Sequence, residues 1–321
     1  MKPYRLALAI ACLAAAPHTS AQGDWPSRPV RIVVAFPAGS PGDTASRLVA
    51  DKLGRALRQP VVVENRPGAG GNIGADVVAK APADGYTFLQ GPDTIVTVNP
   101  AVYRKLNFKP TDLTPVITLA RFNQMLVCAP SSGIRSLADL SGKAKAGQPG
   151  VNYASGGPGT PGHLAMELYL AQASLKMTHV PYKGPSRAMQ DVLAGQVPCG
   201  FLASPVVAPH VKAGKLVGLA VSGSTRSAMA PQVPTMEEAG MPGYDASFRE
   251  VLFAPKGTPD AIVRRMNEEI GRILKLPEVR EKLQANDLDP APDVPAAMAR
   301  QMESDATKWG AVVHRIGLHL D

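Results

Sequence analysis

The sequence predicts an α/β fold with a mainly parallel sheet in each of two lobes. Three observations lead there. Short apolar runs alternate with amphipathic stretches along nearly the whole chain, the pattern of successive βα units. The 321 residues, 45% of them apolar, suffice for about two domains with a sizeable core. Finally, the unit VAFPAGSPGDTASRLVA, starting at Val34, has a counterpart about 120 residues on, VNYASGGPGTPGHLAMELYLA, starting at Val151. Each reads as strand, side-chain-poor turn, then helix, and that separation suits one unit per lobe. The likeness is architectural, without a detailed repeat.

Taken in order, the first strand is predicted over Val30–Phe36 and its helix over Asp43–Leu57. Val61–Glu64 follows as a strand, Ala75–Lys80 as a helix and Tyr86–Leu89 as a third strand. A strand over Asn123–Ala129 opens a second series. It continues with helix Leu137–Ala146, strand Val151–Ala154, helices His163–Ala173 and Pro185–Leu193, and strands Pro198–Phe201 and Leu216–Val221. Thr258 as cap and Pro259 at the first helical position start a helix over Ala261–Leu274. Helices over Glu278–Ala285 and Ala296–Ile316 complete the chain.

The first residues carry an export signal. Lys2 and Arg5 precede the apolar run Leu6–Ala16, and Thr19-Ser20-Ala21 supplies a small-x-small site, so cleavage is expected after Ala21. The run is too short to span a bilayer, which needs about 20 residues. Without Lys2 and Arg5 the formal charge falls from +8 to +6. No clustered basic patch with interleaved rings accompanies that charge, so nucleic acid is not an expected partner. A small anionic ligand is compatible with it. Cys128 and Cys199 remain in a compartment that permits disulfides, and either a bridge or two separate buried thiols fits their apolar surroundings.

The two turns are the candidate site. The first N–H groups of a helix lack internal partners and carry partial positive charge. Small residues before the helix let a carboxylate approach them. In the first turn, Ala38-Gly39-Ser40-Pro41-Gly42, the amides of Gly39 to Gly42 are the donors and Asp43 is the helix cap. The bland alternative is an ordinary βα turn. His163 stands in the first turn of the second helix, as a ligand donor or a structural histidine. The Gly68–Gly74 stretch has Gly-x-Gly-x-x-x-Gly spacing, which suits a helix-entry turn better than a dinucleotide loop. Catalytic patterns are missing. Ser155 lacks the first glycine of a nucleophile elbow, and no His-Glu-x-x-His or cysteine–histidine spacing occurs. No catalytic residue, metal or cofactor is therefore expected.

Several stretches resemble one family. Trp25-Pro26-Ser27-Arg28-Pro29-Val30 through Phe36-Pro37-Ala38-Gly39 is similar to the mature start of the Bug-type solute receptors, the extracytoplasmic binding proteins of tripartite tricarboxylate transporters. The likeness continues through Glu64-Asn65-Arg66-Pro67-Gly68-Ala69-Gly70-Gly71, His179-Val180-Pro181-Tyr182-Lys183-Gly184 and Ala254-Pro255-Lys256-Gly257-Thr258-Pro259, and covers nearly the whole mature chain. It implies a two-lobed, type II periplasmic binding protein that is not an enzyme, with a small carboxylate ligand gripped between lobes and membrane transporter subunits as partners. The expected state is a monomer. The lobes would comprise residues 22–125 and 126–222, with 223–321 returning to the first, and a two-strand hinge near Ala129 and Val221. Carried over, the first turn is Phe36, Ala38, Gly39, Ser40, Pro41, Gly42 and Asp43, and the second is Ser155, Gly156, Thr160 and His163, with Pro181 and Tyr182 lining the cleft. A secreted hydrolase and a sensor docking to a receptor kinase are the alternatives.

Three departures qualify the transfer. Gly42 removes a side-chain donor common before the Asp, and Phe201-Leu202-Ala203 lacks a polar group suited to a ligand amine. Arg249-Glu250 replaces an aromatic pair, leaving Arg249 as either a cleft charge or half of a surface ion pair.

Overall fold

A computed structural model of the chain describes residues 25–146 and 151–321. The predicted export segment and its cleavage site lie outside the described residues. The chain alternates strand and helix from the start: β1 (Val30–Val34), α1 (Pro41–Leu57), β2 (Val61–Asn65), α2 (Asn72–Ala79) and β3 (Thr87–Pro92). Two short helices, α3 (Thr94–Thr97) and α4 (Asn99–Val102), lead to β4 (Leu113–Phe122). The second series runs β5 (Gln124–Cys128), α5 (Leu137–Lys145), β6 (Asn152–Ser155), α6 (Pro161–Gln172), β7 (Thr178–Pro181), α7 (Pro185–Leu193), β8 (Cys199–Ala203), α8 (Ser204–Lys212) and β9 (Val217–Val221). The chain ends with β10 (Phe248–Pro255), α9 (Asp260–Leu274), α10 (Pro277–Gln284), β11 (Leu288–Asp289) and α11 (Pro295–Ile316).

The strands form two sheets, ordered β11-β4-β10-β3-β1-β2 and β7-β6-β8-β5-β9. Both are mixed, which corrects the expectation of mainly parallel sheets. Only β1 with β2 and β3, and β6 with β7 and β8, pair in parallel. These are the strands joined by helical crossovers, which force parallel order. Strands β10 and β4 arrive without such a crossover and pair antiparallel. Both were illegible as strands: β4 carries Pro115, and β10 places Arg249 and Glu250 among its apolar residues.

The chain passes between sheets at Asn123, between β4 and β5, six positions before the expected crossing at Ala129. The return does not begin at residue 223. Ala230 and Val233 pack in the core of the five-stranded sheet, and Thr235 bridges to Val221. Only with Phe248 does the chain rejoin the six-stranded sheet, opposite Phe122.

Two covalent or charged ties fix these pieces. Cys128 and Cys199, register partners in β5 and β8, form a disulfide, which settles the alternative left open by the sequence. Arg249 is neither a cleft charge nor a surface partner. Buried at 8% exposure, its Nη1 donates to Asp93 Oδ2 at 3.1 Å and Asp305 Oδ2 at 2.7 Å, tying β10 to the end of β3 and to α11. Removing one member of such a set strands buried charge, at a cost of about 3–5 kcal/mol.

The bridge closes a loop of 71 residues, long enough for substantial stabilisation by restricting the unfolded chain. The double substitution Cys128→Ala/Cys199→Ala is expected to lower stability by about 2–4 kcal/mol, read as a lower urea midpoint. An unchanged midpoint would show that the bridge carries no stability.

Candidate functional site

Each sheet has one point where the connections turn in opposite directions, the crevice in which open α/β sheets bind ligands. In the first sheet β1 leads outward to β2 and the chain then returns to β3 on its other side. In the second, β6 does the same with β7 and β8. The two predicted turns leave the carboxyl ends of β1 and β6, directly above these crevices.

Their construction is nearly identical. Gly39-Ser40-Pro41-Gly42-Asp43 in the first turn matches Gly159-Thr160-Pro161-Gly162-His163 in the second, offset by 120 positions. This detailed repeat is absent from the sequence reading above. Gly39 and Gly159 both adopt positive φ, +78° and +71°, which only glycine takes without strain. Ser40 and Thr160 are the helix caps, and Pro41 and Pro161 occupy the first helical position, where no N–H is needed. The third helical residue then reaches back: Gly39 N donates to Asp43 Oδ2 at 2.9 Å, and Gly159 N to His163 Nδ1 at 3.1 Å. α1 thus starts at Pro41 with Ser40 as cap, and Asp43, expected as the cap, is the brace of the preceding loop.

This bracing corrects the expected donor set. Gly39 N is taken by Asp43, and Ser40 N donates to Pro37 O at 3.1 Å. In the second turn Gly157 N and Thr160 N donate to Ser155 Oγ and Gly157 O. Proline removes one amide from each helix start. Gly42 N and Gly162 N remain without a partner among the described residues, each beside a hydroxyl, Ser40 or Thr160. Both glycines sit hard against the neighbouring strand. A Cβ on Gly42 would stand 2.3 Å from Gln90 Oε1 of β3, and one on Gly162 2.0 Å from the Phe201 carbonyl of β8.

The surroundings hold the braces in one state. Asp43 is buried, and burial alone would raise its carboxyl. Bonds from Arg47, the Gly39 amide and Asn65 outweigh that and keep it below the ordinary carboxylate range. Asn65 also donates to Phe36 O at 3.0 Å, fastening the turn to β2, and Phe36 packs over Gly71. In the second turn, Tyr153, His163 and His179 form a stack with His163 and His179 centroids 4.1 Å apart. Burial lowers His163 to about 3, aided by His179, and lowers His179 to about 4, so both rings are neutral near pH 7. With Nδ1 accepting from Gly159, the His163 proton sits on Nε2, facing Glu167 at 3.9 Å.

The other predicted positions divide. Ser155 is fully buried, with Oγ 2.7 Å from His179 Nε2, and Tyr182 Oη donates to Asp191 Oδ2 at 2.6 Å. Gly156 and Pro181 lie next to each other where β6 and β7 end, Gly156 O accepting from Gly184 N. Ala38 is exposed at the rim of the first turn. Ser155, His163, Asp43 and Thr160, whose Oγ1 donates to Gly157 O at 2.7 Å, therefore build the turns from behind, while the Ser40 hydroxyl and the Gly42 and Gly162 amides have no acceptor among the described residues. Sequence reasoning missed Gly162, Asn65, Gln90 and His179. For Gly162 the signal was the repeated hydroxyl-Pro-Gly.

Together these features define a two-lobed periplasmic binding protein fold with one like-built helix start on each sheet. The chain belongs to the tripartite tricarboxylate transporter family receptors, whose family model matches residues 45–318. It is 35% identical over 298 residues to Protein BugT of Bordetella pertussis, covering 92% of this chain and 91% of that one. Among solved structures, R. palustris Rpa4515 with adipate is 36% identical, with a TM-score of 0.82 over 92% of this chain and all of that one. MatC (Rpa3494) from Rhodopseudomonas palustris with bound malate is 28% identical, with a TM-score of 0.79 over 90% of this chain and all of the neighbour.

Two outcomes follow from the packing and the charge states. Gly162→Ala drives a methyl into a backbone carbonyl that cannot step aside, so a loss of about 1–3 kcal/mol is expected in chemical denaturation. Native-like stability would contradict the close approach. The lowered histidines bind fewer protons folded than unfolded, where their ordinary value is about 6.5. Stability should therefore fall as pH drops from about 6.5 toward 4, by up to about 1.4 kcal/mol per pH unit for each ring. His163→Gln should flatten that slope; an equal slope in the variant would refute the assignment.

Proposed function

We propose that this chain is an exported periplasmic receptor that captures a small carboxylate-containing molecule between its lobes and delivers it to the membrane subunits of a tripartite tricarboxylate-type transporter. One observation carries the reading: two like-built helix starts, one per sheet, each with an unpartnered second-position amide beside a hydroxyl. A ligand carboxylate at the first start would accept from Ser40 and Gly42, and one at the second from Gly162 and from Thr160 once its hydroxyl turns away from Gly157 O. Each bond to a charged acceptor contributes roughly 1.5–3 kcal/mol. Against a cost of association of about 4–15 kcal/mol, four to six such bonds support micromolar or tighter binding. The adipate and malate bound by the two neighbours support a carboxylate with more than one acidic end.

The first lobe comprises residues up to 122 with the chain from Phe248 onward, the second residues 124–246, and the crossings at Asn123 and Ser247 form the hinge. Gly223 lets the two crossings lie side by side, since a Cβ there would run into both Asn123 Oδ1 and Ser247 Oγ. Ligand closure would bend the chain at these two points and signal occupancy to the membrane partner. One feature favours the hydrolase alternative, the Ser155–His179 contact. Because Ser155 is fully buried and also accepts from Gly157 N, a loop brace accounts for it better.

Isothermal titration of the mature protein with adipate, malate and a panel of mono-, di- and tricarboxylates tests the reading. At least one is expected to bind at micromolar or lower Kd, and Ser40→Ala and Thr160→Ala are each expected to weaken it about tenfold or more. Binding of a non-acidic solute alone, or turnover of a bound acid, would overturn it.

A further inference from the structure

Beneath the first turn lies a carboxyl group that the binding geometry above leaves unused. Glu250 of β10 is only 4% exposed, and its Oε2 accepts from Gln90 Nε2 at 2.5 Å. Gln90, fully buried on β3, lies directly against the start of α1. A Cβ on Gly42 would come within 2.4 Å of its Nε2 as well as 2.3 Å of its Oε1. That Oε1 has no partner among the described residues, nor has the Oγ of Ser46, one turn further along the same face of α1. One amide group therefore lies between Glu250 and the Gly42 backbone at the start of α1.

The charges around Glu250 do not neutralise it. On the β3 side stands Asp93, whose negative charge opposes a second one nearby. Arg249, next to Glu250 on β10, points to the opposite face, where Asp93 and Asp305 of α11 hold it. On α1, Asp43 is bonded to Arg47, and on α2 Asp76 is paired with Lys80. The register partner of Glu250 on β4 is Ala120. No cation contacts Glu250 among the described residues. A carboxylate seated on α1 would then face Glu250 across one side chain with little water between, and two like charges so placed do not both stay ionised.

We propose that Glu250 is a proton-linked selectivity residue: the first-lobe site accepts an anionic end group while Glu250 is protonated, so that the receptor takes up a proton as it takes up its ligand. This deepens the carboxylate reading and rests on it. The free protein is already poised for it. Burial pushes Glu250 up to about 8, outweighing the Gln90 bond, with Asp93 adding to the rise. Ligand carboxyls with ordinary values near 4 stay ionised, so the buried group holds the proton. Below about pH 8 the site is ready and affinity is flat. Above it, each bound anion must draw a proton from solvent, and Kd rises toward tenfold per pH unit.

The test is titration of the wild-type protein with adipate and with malate between pH 6.5 and 9, in two buffers of different ionisation heat. Net proton uptake is expected to grow from near zero to most of one proton per ligand, with Kd rising about fivefold or more from pH 7.5 to 9. Glu250→Gln keeps the shape and the Gln90 contact but cannot titrate, and its Kd at pH 9 should stay within about twofold of its own value at pH 7. Asp93, pushed up to about 6, and the two histidines titrate below this window. Binding with no proton uptake, or an equal pH slope in Glu250→Gln, overturns the proposal and leaves the carboxylate reading standing. Binding of neither acid at any pH overturns the proposal together with that choice of ligand class.

Discussion

The insertion of β10 between β3 and β4 is the constraint on which the first lobe depends. A strand from far along the chain pairs antiparallel to both neighbours, and in doing so joins two parts of a sheet that would otherwise have separate edges. The same pairing delivers Arg249 to Asp93 and Asp305, which anchors α11. It also delivers Glu250 to Gln90, and Gln90 is the surface on which the start of α1 rests. The geometry of the first turn is thus set partly by residues more than 150 positions away from it.

The two turns solve one problem with different chemistry. Each must hold a glycine at positive φ and leave the second helical amide open, and each uses the third helical residue to hold the glycine N–H. In the first turn the brace is a carboxylate, kept ionised by Arg47 and Asn65. In the second it is an imidazole, kept neutral by burial within a stack of rings. A second carboxylate brace would add negative charge beside the helix start, whereas a neutral ring accepts the same hydrogen bond without charge. Electrostatically the lobes are therefore unequal although their backbones are alike. The ionised brace, Asp43, belongs to the first lobe, and the second lobe's brace is uncharged.

Contacts between the lobes follow from the crossings. Gly159 packs near Val102 of α4 and Leu318, and close by Tyr244, just ahead of β10, donates its hydroxyl to Ala165 O of α6 at 2.7 Å. The apolar core runs on from one sheet to the other through these elements. The second turn thereby abuts α4 and the residues that follow α11.

Much of this protein was legible in the linear order of its residues, because the signals were local. Apolar strands followed by amphipathic helices appear directly in residue periodicity, so β1, α1, β6, α6, α7 and α9 fall close to where they were expected. Glycine, proline and hydroxyl residues mark helix starts whatever the rest of the chain does, so both turns were found. The identity of the donors was not legible, because whether Gly39 N is open or taken depends on the rotamer of Asp43 and on Asn65 from the next strand. Strands β4 and β10 were hidden for a related reason. Charged and proline residues argue against a buried strand until distant partners satisfy them, and Arg249 and Glu250 find theirs only when β3 and α11 close around β10. Local sequence determined the parts and the turn chemistry. Long-range pairing decided which polar atoms were left open, because a hydrogen bond or a buried charge is settled by whichever partner the fold brings within reach.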